Sequence, residues 1–330
     1  MNHNYPGIDT GRRHYYSSSR GPFHNVNNIL MFYGGGHRGW IVETIISALR
    51  DKEVTDRVFH IHGESGSGKT MLSLVLCDRL RRSMHTIRYE HPVITPSRLL
   101  RHLLIELCPQ NADLISAEQA RLGADKASID SALNCIRKQI VANMSLAHSR
   151  PYVLLIDSPC RLSAEVARLI DVLGELKADE QSALFCCIFH TTDESAVRLS
   201  RMASSAHQQN NHFWLRRLTL SEIEEYLCHH MMLFDYNRRN MFTRQMAYFI
   251  AERTEGVLRS INSLARDAFT IANLEDTDRL SMSHLLMAGL PVREDSTSRS
   301  EFKAKRPRSR IALVGLGVVA LLAGALVLIY

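Results

Sequence analysis

The stretch Val58-Phe59-His60-Ile61-His62-Gly63-Glu64-Ser65-Gly66-Ser67-Gly68-Lys69-Thr70 decides the fold. Its first five residues form a short apolar run that reads as a buried strand. The next eight, Gly63 to Thr70, have the spacing G-x-x-x-x-G-K-T of a phosphate-binding loop. Gly63, Gly66 and Gly68 let successive backbone N–H groups turn inward around a phosphate, with Glu64, Ser65 and Ser67 carrying the intervening main chain. Lys69 is spaced to reach the β- and γ-phosphates of a nucleotide, and the Thr70 hydroxyl to ligate Mg²⁺. A helix opens near Lys69 and runs through Met71, Leu72, Leu74, Val75 and Leu76, aiming its positive end at the same phosphates. A glycine-rich turn without a nucleotide has no need of a strand before it and a helix after it. ATP and Mg²⁺ are therefore the expected ligands.

The chain has 330 residues and 45% hydrophobic content, enough for one full α/β domain and a smaller attachment. Its formal charge of +6 lies at the ends. Residues 1–27 carry Arg12, Arg13 and Arg20 against Asp9, and residues 291–310 carry seven basic and three acidic side chains, which leaves the body neutral. A neutral body argues against a broad surface that tracks nucleic-acid phosphates, because such binding needs clustered Lys and Arg. The seven cysteines stand singly apart from Cys186-Cys187, with no C-x-x-C pair and no zinc spacing. They read as reduced, buried thiols. The sixteen histidines look dispersed, and His229-His230 reads as helix surface or lid packing rather than a metal site. Residues 1–27, polar and rich in Ser, Asn, His and Arg, read as a disordered basic tail without a secretory signal.

Residues Ile311 to Tyr330 contain no charge, Pro, Asn or Gln. Twenty helical residues at 1.5 Å each span about 30 Å, the thickness of a bilayer core. A transmembrane helix is expected here, since a core helix of this length would carry a polar face. Lys303, Lys305, Arg306, Arg308 and Arg310 precede it, which by the positive-inside rule keeps the N-terminal side cytoplasmic. Within the span, Gly317, Ala320 and Gly324 share one helix face and suit close helix contact.

Between the loop and this end, Met84 to Tyr89 reads as a strand, Ser97 to Leu107 and Ile129 to Met144 as helices, and Ala183 to His190 as a further strand. The run Tyr152-Val153-Leu154-Leu155-Ile156-Asp157 is continuously apolar and ends in an acid, as suits a strand covered on both faces of a parallel sheet. In phosphate-loop proteins this acid lies beside the loop and holds Mg²⁺, so Asp157 completes the metal site with Thr70. Beyond about residue 215 the strands stop. Ser221-Glu222-Ile223-Glu224 reads as a capping box opening a helix through Met232, followed by helices over Phe242 to Arg253, Val257 to Leu274 and Met282 to Ala288. The expected organisation is a basic tail (1–27), an α/β nucleotide-binding core (28–215), an all-helical lid (216–290), a basic linker (291–310) and a transmembrane helix (311–330).

Together these residues resemble the AAA+ ATPases of the ExeA/GspA type, which serve the general secretion pathway, and their relatives in pilus assembly and cell division. The resemblance covers residues 32 to about 290 and rests on Phe32-Tyr33, His37-Arg38, His91-Pro92-Val93-Ile94-Thr95, Leu99-Leu100, Asp157 with Leu162-Ser163, and Gly256-Val257-Leu258-Arg259-Ser260-Ile261-Asn262-Ser263-Leu264. It implies that Arg259 is the lid arginine that touches the γ-phosphate, although a solvated charge at a helix start is the plainer alternative. It also implies that Thr191 or Thr192, of which Thr192 is taken as the site residue, orients the attacking water. The resemblance places this chain in a P-loop AAA+ fold with a parallel sheet, a helical lid and a membrane anchor. It implies a bacterial inner-membrane protein with its ATPase domain in the cytoplasm, forming homo-oligomers and acting on an envelope or secretion partner.

Two departures weigh on turnover. Where that family places Glu after the strand's Asp, this chain has Ser158, a poor base at neutral pH; Glu64 is a weak substitute, since loop side chains usually point outward. Arg198 and Arg201 are candidates for the arginine at a subunit boundary. Three functions therefore compete: an ATPase or ATP-dependent switch, a nucleotide-dependent scaffold without hydrolysis, and a nucleic-acid-targeting regulator, against which the neutral body and the anchor speak.

Overall fold

A computed structural model describes residues 22–24, 28–51, 57–91, 94–107, 126–144, 150–157, 163–178, 181–182, 184–192, 211–234, 241–277 and 279–290. Ser158, Arg198, Arg201, the linker and the expected membrane helix at 311–330 lie outside them. Among the described residues no helix is long and apolar enough to cross a membrane. The chain divides into units of residues 1–289 and 290–330, and the first holds every helix and strand found among the described residues.

In chain order these are a single 3-10 turn (Ile29–Met31), α1 (Arg38–Arg50), β1 (Val58–Gly63), α2 (Lys69–Leu80), β2 (His85–Tyr89), α3 (Pro96–Leu107), α4 (Lys126–Met144), β3 (Tyr152–Asp157), α5 (Ala164–Gly174), the two-residue strands β4 (Lys177–Ala178) and β5 (Gln181–Ser182), β6 (Leu184–Thr191), β7 (His212–Leu215), and then α6 (Leu220–Leu233), α7 (Arg244–Thr254), α8 (Leu258–Leu274) and α9 (Met282–Ala288). Five strands form one parallel sheet in the order β2-β3-β6-β1-β7. The strands β1 and β3 lie on either side of β6, so the phosphate loop after β1 and Asp157 at the end of β3 emerge from the same sheet edge. Register shows this directly, because Asp157 is opposite Phe189 and Gly63 is opposite Thr191.

The run at β3 is apolar throughout because both of its faces are covered. Val153 and Leu155 join the core under α1 and α2, whereas Leu154 and Ile156 join the core under α3, α4 and α5. In β6, Cys186 faces the second core and Cys187 the first, and both are fully buried. Burial pushes the Cys187 thiol well above its ordinary range and the Cys186 thiol up to about 12, so neither is a reactive thiolate at neutral pH. At about 1.5–3 kcal/mol for each fully buried aliphatic side chain, these two layers supply the main stabilisation of the sheet.

One part of the sheet departs from this pattern. The alternate residues of β1 that face away from α1 and α2 are His60 and His62, and they meet His190 of β6 and His212 and Trp214 of β7. His62 is in register with His190 and Trp214, and His60 with His212. The in-register rings stack with centroids 4.7 Å, 5.4 Å and 4.5 Å apart respectively. Diagonal nitrogens share hydrogen bonds of 2.9 Å (His60 to His190) and 3.0 Å (His62 to His212). The histidines are therefore not dispersed. Burial first, and neighbouring imidazoles second, lower the pKa of His60 and His190 to about 4 and of His62 to about 3. Among the described residues no group of three or more His, Cys, Asp or Glu is arranged to hold a metal.

A third core lies among α6 to α9, built on Ile223, Leu227, Ile250, Ile261, Ala265 and Leu285. Two expectations are corrected here. The N-cap of α6 is Thr219, not Ser221: Thr219 Oγ1 accepts from the Glu222 amide at 3.4 Å, and Glu222 Oε2 accepts from the Thr219 amide at 2.8 Å. Ser221-x-x-Glu224 also fits the pattern, but Glu222 has Arg216 beside it at 2.6 Å, which fixes the earlier start. The expected disordered tail at 1–27 is also too long. Phe23 is 1% exposed and packs into the lid, stacked on His230 at 4.9 Å and lying 6.1 Å from both Phe242 and Phe269.

Candidate functional site

The loop between β1 and α2 takes its shape from two glycines in the left-handed region, Gly66 at φ +85° and Gly68 at φ +101°. At Gly66 a side chain is excluded twice over, because an added Cβ would also sit 2.7 Å from Arg259 Cβ. Lys69 is 8% exposed and donates to Gly63 O at 2.9 Å and Glu64 O at 2.8 Å. Burial lowers its pKa to about 8, with Asp157 and Glu64 opposing the shift and Arg259 adding to it. The loop thus holds its own cation in place, at the start of a helix whose first amides are free to meet an anion.

A cavity of about 460 Å³ opens beside the loop, within the size range of small-molecule sites. Ser65, Gly66, Gly68, Lys69 and Thr70 line one end, together with Asp157 and Thr191 from the ends of β3 and β6. Arg259 closes it from the lid. Its Nη1 donates to Ser65 Oγ at 3.2 Å and its amide to Gly66 O at 3.1 Å, so the first turn of α8 rests on the loop. Gly63 and Ser67 support the loop from below, where a Cβ on Gly63 would meet Ser67 Oγ at 2.5 Å.

Two sequence expectations fare differently in this geometry. Thr191, not Thr192, lines the cavity. The amide of Thr192 instead donates to Gly63 O at 3.0 Å, extending the strand ladder, and its hydroxyl is buried without a partner. Glu64 does not line the cavity either: its carboxylate is turned to Arg217, which donates from Nε at 2.8 Å and from Nη2 at 3.0 Å. As a substitute base it is in the wrong place.

The other end of the cavity is drawn from scattered segments, of which only Phe32-Tyr33 stands out in the sequence. Phe23, Met31, Phe32 and Tyr33 come from the chain ahead of α1, and Tyr226 and His230 from α6. Tyr226 donates to Asn262 Oδ1 at 2.5 Å, tying α6 to α8. His230 is 2% exposed, neither of its ring nitrogens has a partner, and burial lowers its pKa to about 3, which keeps it neutral. Beneath the loop, Arg38 is 3% exposed; its Nη2 donates to Ser67 O and to Arg216 O, each at 3.1 Å. Burial lowers its pKa to about 10, against the pull of Glu222. The first residue of α1 thereby joins the phosphate loop to the β7–α6 connection.

The family model described as Nephrocystin 3, N-terminal, matches residues 36–188, from the entry to α1 through most of β6. No curated protein matches the chain. Among solved structures, Drosophila ORC bound to DNA aligns with a TM-score of 0.53 at 13% identity, over 87% of this chain and 68% of that one. The ADP form of Aeropyrum pernix ORC2 aligns with a TM-score of 0.50 at 12% identity, over 77% and 67%. These neighbours are AAA+ ATPases. The chain shares their fold. Identities this low speak for architecture alone, and the secretion-type subfamily suggested by sequence is not among these matches.

Proposed function

We propose that the cavity between the phosphate loop and the lid binds ATP with Mg²⁺, and that the protein is an ATPase or ATP-dependent switch. The observation that carries this reading is convergence. Lys69 and Thr70 from the start of α2, Asp157 from the end of β3 and Arg259 from the lid face one volume that is also lined by Phe23, Phe32 and Tyr226. A polyanion fits the first end and a flat base the second. Thr70 and Asp157 are hard oxygen donors, and Mg²⁺ typically takes one or two protein oxygens and completes its shell with water and phosphate. When bound, the ion would neutralise phosphate charge. Lys69 would exchange its carbonyl partners for phosphate, and Arg259 would hold the lid against the loop. Thr191, which lines the cavity, would orient water.

Titration calorimetry on the full chain tests the reading. ATP with Mg²⁺ should bind, and Lys69→Ala should abolish binding; unchanged affinity in the variant would refute the site.

Turnover separates two versions of this function. Ser158 after Asp157 favours slow hydrolysis or a pure switch, and Ser158→Glu should then raise the rate within the range of about 10² to 10⁴ that a positioned base supplies. An unchanged rate in a variant that still binds ATP would assign the base elsewhere.

The run at 311–330 and the basic residues before it support anchoring in a bacterial inner membrane, with the nucleotide site cytoplasmic. The likeness of residues 32 to about 290 to ExeA/GspA-type ATPases supports a homo-oligomer acting on a secretion, pilus or other envelope assembly. The expectation that nucleic acid is not a partner needs correcting to this extent: an ORC of the same fold is solved bound to DNA, so architecture gives no ground for exclusion. Only the neutral body still argues against it, and DNA affinity measured across a salt series decides.

A further inference from the structure

Glu64 is an acid inside a loop built to receive an anion. Left unpaired, its carboxylate would repel a triphosphate and compete for Lys69. Instead it forms a two-bond pair with Arg217, at 2.8 and 3.0 Å, with the two side chains 19% and 26% exposed. The same guanidinium reaches Glu255 through Nη1. Glu255 belongs to the turn between α7 and α8, where it has φ 50° and is followed by Gly256 at φ 78°. A Cβ on Gly256 would sit 2.2 Å from Leu218 O, so the turn lies directly against the β7–α6 connection. Gly256 O accepts from the Leu218 amide at 2.9 Å, and one turn on, the Arg259 amide reaches Gly66 O. One arginine therefore bridges the phosphate loop and the turn that delivers Arg259 to it.

We infer that Arg217 is a positioning residue for the nucleotide site: it neutralises Glu64 and holds it away from the phosphates, and through Glu255 it keeps the lid seated on the loop. This rests on the proposal that the cavity binds a nucleotide. It assigns Glu64 to the bridge between the loop and the lid rather than to activation of water. A partly buried ion pair loses more when one partner is removed than when both are, because the remaining charge is stranded. Arg217→Ala strands a carboxylate beside the phosphates, whereas adding Glu64→Gln removes that charge as well.

The experiment uses the full chain, with folding of each variant verified by thermal melting. ATP affinity is titrated for wild type, Arg217→Ala, Arg217→Lys and the double variant Glu64→Gln/Arg217→Ala. Exchange of the Arg259 amide with deuterium, measured without nucleotide, reports how firmly the lid sits. Arg217→Ala should weaken ATP binding by about tenfold or more, and the double variant should recover most of that loss. Arg217→Lys keeps the charge but not the fork and should fall between. In Arg217→Ala, the Arg259 amide should exchange faster. A double variant as weak as Arg217→Ala, or wild-type affinity in Arg217→Ala, would overturn the neutralising role. Unchanged Arg259 exchange would overturn the seating role. Should the wild-type chain bind no nucleotide, the ATP reading falls by itself, and the exchange measurement still decides whether Arg217 seats the lid.

Discussion

The two ends of the cavity are made in opposite ways. The phosphate end comes almost entirely from eight consecutive residues and the acid ending β3, so local backbone geometry and one strand register suffice to build it. The far end is assembled from the chain near Phe23, the segment at 31–33 and two helices of the lid, more than two hundred residues from Phe23 to Asn262. The first end is a fixed cradle. The second exists only while the lid is packed. A ligand that touches only phosphates should therefore respond to different substitutions from one that also carries a base.

The largest expected effect falls on the cradle. Lys69→Ala should eliminate binding of inorganic tripolyphosphate as well as ATP in calorimetry, since both depend on the same cation; tripolyphosphate binding that survives would show the cradle acting through its amides alone. Phe23→Ala should separate the two ends. Truncating a fully buried aromatic costs about 3–5 kcal/mol, so the lid should melt earlier and ATP affinity should drop, while tripolyphosphate, which meets the lid only at Arg259, should lose less. Equal losses for the two ligands would mean that the ends are not independent.

A smaller effect, dependent on pH, sharpens the same contrast. Lys69 has its pKa lowered to about 8 in the free protein, and arriving phosphates favour its charged form. Below pH 8 the lysine is already protonated. Above it, binding must take up a proton, and ATP affinity should fall by up to about tenfold per pH unit. Titration in buffers of different ionisation enthalpy would detect the proton; a flat profile from pH 7 to 9.5 would contradict the placement. His230 at the other end, with its pKa near 3, stays neutral throughout and adds no slope.

The difference between the ends also explains how much of the molecule is legible in its sequence. The loop, Asp157, the parallel sheet around them and four lid helices follow from short motifs and from hydrophobic runs whose period is local. Thr191 and Thr192 are not told apart that way, because the choice depends on where β6 ends against Gly63, a matter of register that spacing leaves undetermined. The partnership of Glu64 with Arg217 joins residues 153 positions apart and leaves no trace in either neighbourhood. Phe23 sits in a polar stretch whose composition suggests no structure, and one aromatic side chain inserted between α6 and α8 overrides it. Strand β7 is only four residues long, and His212 and Trp214 hide its core side, Phe213 and Leu215, behind a polar face. The apolar run at 311–330, from which a membrane helix is expected, lies outside the described residues.

The imidazoles of β1, β6 and β7 bear on how this sheet meets acid. Each diagonal contact between His60 and His190, or His62 and His212, shares one hydrogen between two nitrogens. A ring that donates can still take a proton on its far nitrogen; a ring that accepts cannot without setting N–H against N–H. Because the folded-state values lie near 3 to 4 while an unfolded histidine titrates near 6.5, the unfolded chain gathers protons first, and stability present above pH 6.5 drains away as pH falls toward 4. The strand that leads into the phosphate loop is thus the seam along which the molecule should come apart in acid, and the loop would lose its shape together with the sheet that presents it.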